Sequence, residues 1–176
     1  VVDDGSQDAT ASIISSFEKI NPKVHLIKFP ENRGKGYAVR TGMLSTKSDI
    51  AIFCDADLAT PIEEGPRVIV AHPNADIIIG TRYAQGKGFI AHPSFIRKVA
   101  SKIWNYIRRK TLLPNASDSQ CGFKIFKRKA IDSIFPLQTI SGFGFDVELL
   151  VIAEQKGLRV EEASVKWRNS TPSEFR

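Results

Sequence analysis

The sequence predicts an α/β fold, a largely parallel sheet flanked by helices, and three observations predict it. Apolar runs alternate along the chain with segments of helical periodicity, as layered α/β packing requires. Two of the runs, Ile50-Ala51-Ile52-Phe53 and Ile77-Ile78-Ile79, are continuous rather than alternating, as strands covered on both faces are. Acidic or glycine-rich clusters follow the runs, and in open α/β sheets ligands bind beyond the carboxyl ends of strands.

Taken in order, Val1-Val2 is the stub of a buried strand, and runs 24–29, 50–54, 76–80 and 159–165 are the remaining expected strands. Helices are expected over 9–20, 36–44, 62–71, 93–110, 129–134 and 146–156. The first is opened by Ser6 or Asp8 as a cap, the second by a glycine-rich turn, and the third follows Pro61. The fourth carries Phe95, Ile96, Val99, Ala100, Ile103, Trp104 and Ile107 on one stripe, with basic residues off the stripe or at its end. Such a helix packs its stripe into a core or lays it in a membrane interface. Segments 81–92 and 112–122 are expected as long loops.

The 176 residues are enough for one domain, and 42% hydrophobic with 25% charged residues is wrong for a disordered chain. No apolar run approaches the roughly 18 residues of a membrane span. Two cysteines, Cys54 and Cys121, make neither a disulfide framework nor a zinc site, so a reducing compartment is expected. The formal net charge of +6 is unevenly spread: residues 1–81 carry −3, residues 82–129 carry +11 and residues 130–176 carry −2. A basic segment of that kind suggests an anionic partner. The chain opens on Val1-Val2-Asp3-Asp4 with no signal peptide, so the expectation is a single domain over 1–176 that is incomplete at its N-terminus.

Chemistry is concentrated in six places. Asp3-Asp4-Gly5-Ser6-Gln7-Asp8 lies where a strand ends and a helix begins; an Asp there accepts hydrogen bonds from a base or ribose, while Asp8 or Ser6 also suits a cap. Asp55-Ala56-Asp57 follows a buried strand, and two carboxylates at that spacing face the same way and invite a hard divalent cation. Solvated loop carboxylates are the plain alternative. A phosphatase with an aspartate nucleophile is another, weakened because Thr60 falls one residue too late. Glu31-Asn32-Arg33-Gly34-Lys35-Gly36 combines glycines, a helix N-terminus and two cations suited to phosphate, without the spacing of a P-loop. Gly80-Thr81-Arg82 and Asp118-Ser119-Gln120-Cys121-Gly122-Phe123-Lys124 supply further cations at a strand end and in the basic segment, and Asp146 and Glu148 open a helix.

These motifs, in this order, resemble the inverting glycosyltransferases of family 2, and within them the polyprenyl-phosphate sugar transferases of the dolichyl-phosphate β-glucosyltransferase-like branch. The elements that carry the resemblance are Val2 to Thr10, Asn32 to Val39, Asp55 to Leu58, Gly80 to Tyr83, Asp118 to Lys124 and Gly144 to Glu148. The resemblance implies the GT-A fold, here without its N-terminal strand. It implies that Asp3, Asp4, Ser6, Asp8, Arg33, Gly34, Lys35, Asp55, Ala56 and Arg82 contact a nucleotide-diphosphate sugar, with UDP-glucose favoured and GDP-mannose second. Asp55 and Asp57 would hold Mg²⁺ or Mn²⁺. Asp146 matches the catalytic-base position, and Asp118, Gln120 and Lys124 would line the sugar and acceptor-phosphate side as catalytic residues.

The implied reaction is transfer of a sugar to a polyprenyl or dolichyl phosphate with inversion, at the cytoplasmic face of a membrane whose anionic surface the basic segment would meet. The tail Val165-Lys166-Trp167 lacks the Gln-x-x-Arg-Trp motif of the family's polysaccharide synthases, which argues against a processive polymerase. Two alternatives stand beside this reading. One is a family 2 transferase with a soluble, glycan or protein acceptor. The other is a non-catalytic nucleotide- or nucleic-acid-binding α/β domain, disfavoured because no platform of spaced aromatics is present; no nucleic-acid partner is expected.

Overall fold

Six strands and five helices are laid out in a computed structural model that describes residues 1–81 and 118–167. Their order is β1 (Val2–Asp3), α1 (Thr10–Ile20), β2 (Ile27–Lys28), α2 (Lys35–Ser45), β3 (Ile50–Cys54), α3 (Glu64–Ala71) and β4 (Ile77–Thr81). After the undescribed segment come β5 (Phe123–Lys127), α4 (Arg128–Ile134), a 3₁₀ turn (Phe135–Leu137), α5 (Phe145–Gln155) and β6 (Val160–Ser164). The expected helix over 93–110, the loop over 82–92 and most of the loop over 112–122 lie outside the described residues, and so does Arg82.

Strands β1 and β2 pair in parallel, with Val2 opposite Ile27 and Asp3 opposite Lys28. The larger sheet has the order β3-β5-β4-β6. Strands β4 and β6 are parallel, as expected, whereas β5 runs antiparallel to both β3 and β4. The strands are thus largely parallel, as expected, with β5 alone running against the rest; its residues were expected only as part of the Asp118–Lys124 motif. Its run Phe123-Lys124-Ile125-Phe126-Lys127 hides a strand because a lysine interrupts the apolar pattern. Lys124 is only 1% exposed, its charge met by a buried carboxylate described below.

Alternation along the strands sorts the side chains onto two faces. Ile78, Phe123 and Ile125 pack with Val68 of α3 and with Ala163 and Val165, and Ile50, Ile52 and Cys54 lean on that cluster. Ile77, Ile79 and Phe126 pack on the opposite face with Ile131 and Ile134 of α4 and Phe145, Leu149 and Leu150 of α5. Ala51 and Phe53 join that second face. By the same period of two, Lys124 projects from β5 towards α5, the helix that carries Asp146.

Candidate active site

The site begins where β1 ends. Asp3 is buried, its Oδ1 accepts the N–H of Ser6 at 2.9 Å, and Oδ2 has no hydrogen-bond partner among the described residues. Hydrogen bonds from Ser6 hold the Asp3 carboxyl below the usual carboxylate range. Asp8 accepts the N–H of Thr10 at 2.9 Å, and this bond holds its carboxyl low as well. In this structure Asp8 therefore secures the start of α1, the simpler of the two roles open to it.

Asp4 performs a task that the sequence did not reveal. Its two oxygens accept the backbone N–H groups of Arg33, at 2.7 Å, and Gly34, at 2.9 Å. A few residues on, the carbonyl of Ser141 accepts the N–H groups of Gly36, at 2.7 Å, and Tyr37, at 3.2 Å. These bonds give the glycine-rich turn and helix N-terminus a structural task besides the anion cradle expected there. Four of its donors already serve the protein, so the turn is a junction between β1, α2 and the 138–141 loop. Gly34 is required there: its φ is +98°, and a Cβ would lie 2.5 Å from the Ser141 oxygen. Arg33 stacks on the Tyr37 ring, 3.8 Å from its centroid, and donates to the Tyr37 hydroxyl.

Lys35 leaves the junction and crosses to β3. Its Nζ lies 2.7 Å from Asp55 Oδ1. Asp55 itself is anchored by its N–H, which donates to the Gly122 carbonyl at 2.9 Å, and its carboxylate lies against Gly122. The turn that follows closes through the Leu58 N–H on the Asp55 carbonyl, and Leu58 takes a φ of +49°. For a side chain of that size the left-handed conformation costs roughly 1–2 kcal/mol. Ala56 lies within this turn, and Asp57 Oδ1 accepts the N–H of Ala59 at 3.0 Å. Asp55, Asp57, Ala59, Thr60, Gln120, Gly122 and Trp167 line a polar cleft of about 140 Å³. Burial, followed by the charges of Asp55 and Asp57, pushes the Cys54 thiol up, so it stays protonated at neutral pH.

The remaining pair is buried. Lys124 Nζ donates to Asp146 Oδ1 at 2.5 Å and to the Cys121 carbonyl at 2.6 Å. Burial pushes the Asp146 carboxyl above its usual range, against the pull of Lys124 and Lys35, while the charge of Asp55 adds to the rise. Phe53 lies between the two lysines, its ring centroid 5.6 Å from Lys35 Nζ and 5.7 Å from Lys124 Nζ. Lys35, Asp55, Lys124 and Asp146 thus form one group of alternating charges around an aromatic ring. Glu148, which opens α5 beside Asp146, accepts from the Thr139 hydroxyl and from the N–H groups of Thr139 and Ile140. Asp118 is buried, its carbonyl accepting from Cys121 and its N–H donating to Glu162 on β6 at 3.3 Å.

Most of the expected residues therefore fall into two neighbourhoods. Asp4, Arg33 and Gly34 meet at the junction, while Lys35, Asp55, Asp57, Gln120, Lys124 and Asp146 meet at the cleft and the charge group. Gly122, Phe53 and Trp167 also shape the site. Gly122 and Trp167 stand in segments singled out in the sequence, the Asp118–Lys124 motif and the tail, but without a role in the cleft; Phe53 reads there only as part of a buried strand.

The α/β order and sheet topology place the chain in a class by its fold, the GT-A fold, which solved structures share. Glucosyl-3-phosphoglycerate synthase from Mycobacterium tuberculosis, crystallised with Mn²⁺, UDP-glucose and phosphoglyceric acid, superimposes with a TM-score of 0.65 at 18% identity, over 98% of this chain and 60% of that one. Mannosyl-3-phosphoglycerate synthase from Rubrobacter xylanophilus gives 0.62 at 18% identity, over 99% and 56%. A family model, Glycosyl transferase family 2, matches residues 1–135, and the chain belongs to that family. It is 36% identical over 176 residues to the dolichyl-phosphate beta-glucosyltransferase of Drosophila melanogaster and 34% identical over 176 residues to that of Homo sapiens. Both matches take in 95% of this chain and 54% of the relative, so the chain spans about half the length of the curated relatives it matches. Membership of family 2 sets aside the phosphatase reading of Asp55-Ala56-Asp57. Among the described residues no helix is long and apolar enough to cross a membrane.

Proposed function

We propose that this chain carries the donor and acceptor sites for transfer of glucose from UDP-glucose to a polyprenyl phosphate of the dolichyl type, with inversion at the anomeric carbon. The observation that carries this reading is the polar cleft lined by Asp55 and Asp57, with Lys35 paired to Asp55 and the buried Lys124–Asp146 pair behind it. It sets two metal-type carboxylates beside the partly exposed ammonium of Lys35, which suits a phosphate. The names of the relatives at 34–36% identity support the acceptor class, and the ligands of the M. tuberculosis enzyme support the donor.

The donor set fits Mg²⁺ or Mn²⁺. Such ions take one or two protein carboxylates and complete their shell with substrate phosphate and water. Asp55 and Asp57 offer two carboxylates at a polar cleft, and among the described residues no group of three candidate ligands forms an all-protein site. A divalent cation held there would neutralise charge on the departing diphosphate. The rest of the chemistry falls to the chain. Asp3 offers the buried, unpartnered Oδ2 to a donor on the base or ribose. In the displacement, an acceptor phosphate oxygen bonds to the anomeric carbon as the bond to the β-phosphate oxygen breaks, and UDP departs with the electron pair. A phosphomonoester has a second pKa of about 6 and is already nucleophilic at neutral pH. Asp146, held at Oδ1 by Lys124, then orients the acceptor instead of removing a proton.

Incubation of the chain with UDP-[¹⁴C]glucose, Mn²⁺, dolichyl phosphate in detergent micelles and phosphoglyceric acid as a competing soluble acceptor tests the reaction. Label is expected to enter an organic-extractable, acid-labile lipid. Label passing only to a soluble phosphorylated acceptor would replace the lipid reading with the soluble-acceptor one.

A further inference from the structure

Lys35 and Asp55 are paired where the proposed cation has to sit, and the two differ in their freedom to move. Asp55 is fixed from two sides, by its N–H on the Gly122 carbonyl at 2.9 Å and by the fit of its carboxylate against Gly122. Lys35 reaches across from the first turn of α2 on a long flexible stem, and the two side chains are about equally exposed, 30% and 35%. Between a short carboxylate packed against Gly122 and an ammonium on a four-carbon stem, exchange proceeds by movement of the lysine. In the paired state the Nζ lies 5.6 and 5.8 Å from the ring centroids of Phe53 and Phe143 and near enough to Asp146 to favour its ionised form.

We infer that Lys35 is a placeholder cation: it neutralises Asp55 until a divalent cation arrives, then swings off and pairs with the diphosphate that accompanies the cation. This inference rests on the proposed role of Asp55 and Asp57 and goes beyond it, because it gives Lys35 two successive partners. A bare divalent cation must displace an ammonium 2.7 Å from Asp55 and then lie beside it, so metal alone binds weakly. A nucleoside diphosphate gives the displaced ammonium a new anion, so metal and nucleotide bind cooperatively and neither occupies the site well by itself. The device would keep the cleft from filling with metal in the absence of donor.

Electron paramagnetic resonance of free Mn²⁺, titrated with the chain in the absence of any nucleotide, tests this directly. Lys35→Met keeps the stem and removes the charge, and is expected to tighten Mn²⁺ binding about tenfold. Lys35→Arg keeps the placeholder and is expected to bind Mn²⁺ as the parent chain does, which separates charge from packing. With UDP added, the parent chain is expected to gain more Mn²⁺ affinity than Lys35→Met does. Equal or weaker Mn²⁺ binding by Lys35→Met, with binding still lost in Asp55→Asn, would overturn the placeholder role and leave the metal site standing. Absence of Asp55-dependent Mn²⁺ binding from all the variants, with and without UDP, would remove the metal reading itself and the placeholder with it.

Discussion

Lys124→Met is expected to lose about 3–5 kcal/mol of stability near neutral pH, the scale seen when one partner of a buried ion pair is removed. The methionine fills the space of the lysine stem, so packing is little changed; what is lost is the charge that faces Asp146 Oδ1 at 2.5 Å. Asp146 is 5% exposed, and burial already pushes its carboxyl above the usual range against the pull of Lys124. Without Lys124 the folded-state value climbs further. A group whose folded value is raised contributes stability that is fully present below its unfolded value, near 3.8, and lost as pH rises through the folded value. The deficit of Lys124→Met should therefore be small in acid and grow towards pH 8, as urea melts at several pH values would record. The double variant Lys124→Met/Asp146→Leu removes both charges and is expected to recover most of the loss while remaining inactive. A deficit independent of pH, or left untouched by the second substitution, would mean that the pair is not what holds β5 to α5.

Gly122→Ala should separate stability from function in the opposite sense. A Cβ at position 122 would lie 1.9 Å from Asp55 Oδ2 and 2.4 Å from its Cγ, so the Asp55 carboxylate has to rotate away and give up Lys35. The obstacle is the end of a short side chain, not backbone, and the fold should yield at the cost of an ordinary overpacking, about 1–3 kcal/mol. Metal-dependent nucleotide-sugar affinity should fall roughly 10–100-fold, the scale on which misplaced ligands cost metal sites. Unchanged affinity in a folded Gly122→Ala would show that the position of Asp55 is irrelevant to binding.

Acid should weaken the fold through different groups. The Arg67 guanidinium holds Glu64 below its usual range, and His72, with Arg159, does the same for Glu161. Stability from such lowered carboxyls is present above their unfolded value, near 4.5, and is lost as pH falls through the folded one.

Much of this architecture is legible in the residues because hydrophobic period reports burial. The run Ile50 to Cys54 coincides with β3, and the helices among the described residues begin within about two residues of the expected positions. The exception is β5. A strand whose second residue is a buried lysine looks polar until the carboxylate that neutralises it, 22 residues away, is brought alongside. The site shows the same division. The carboxylates that would face ligand stand at strand ends and announce themselves by position. What each does within the fold depends on partners distant in sequence: Asp4 on the N–H groups of Arg33 and Gly34, Ser141 on the start of α2, Gly122 on Asp55. A glycine kept empty for a side chain 67 positions earlier leaves no trace in local pattern.

The most direct measurement is calorimetric titration of the chain with UDP-glucose in the presence and absence of Mn²⁺, for the parent chain and for Asp57→Ala. Saturable one-to-one binding that requires Mn²⁺ and disappears in Asp57→Ala is the predicted result. Failure of the parent chain to bind UDP-glucose with Mn²⁺ present, or equal binding by a folded Asp57→Ala, would contradict a metal-assisted nucleotide-sugar site at the end of β3.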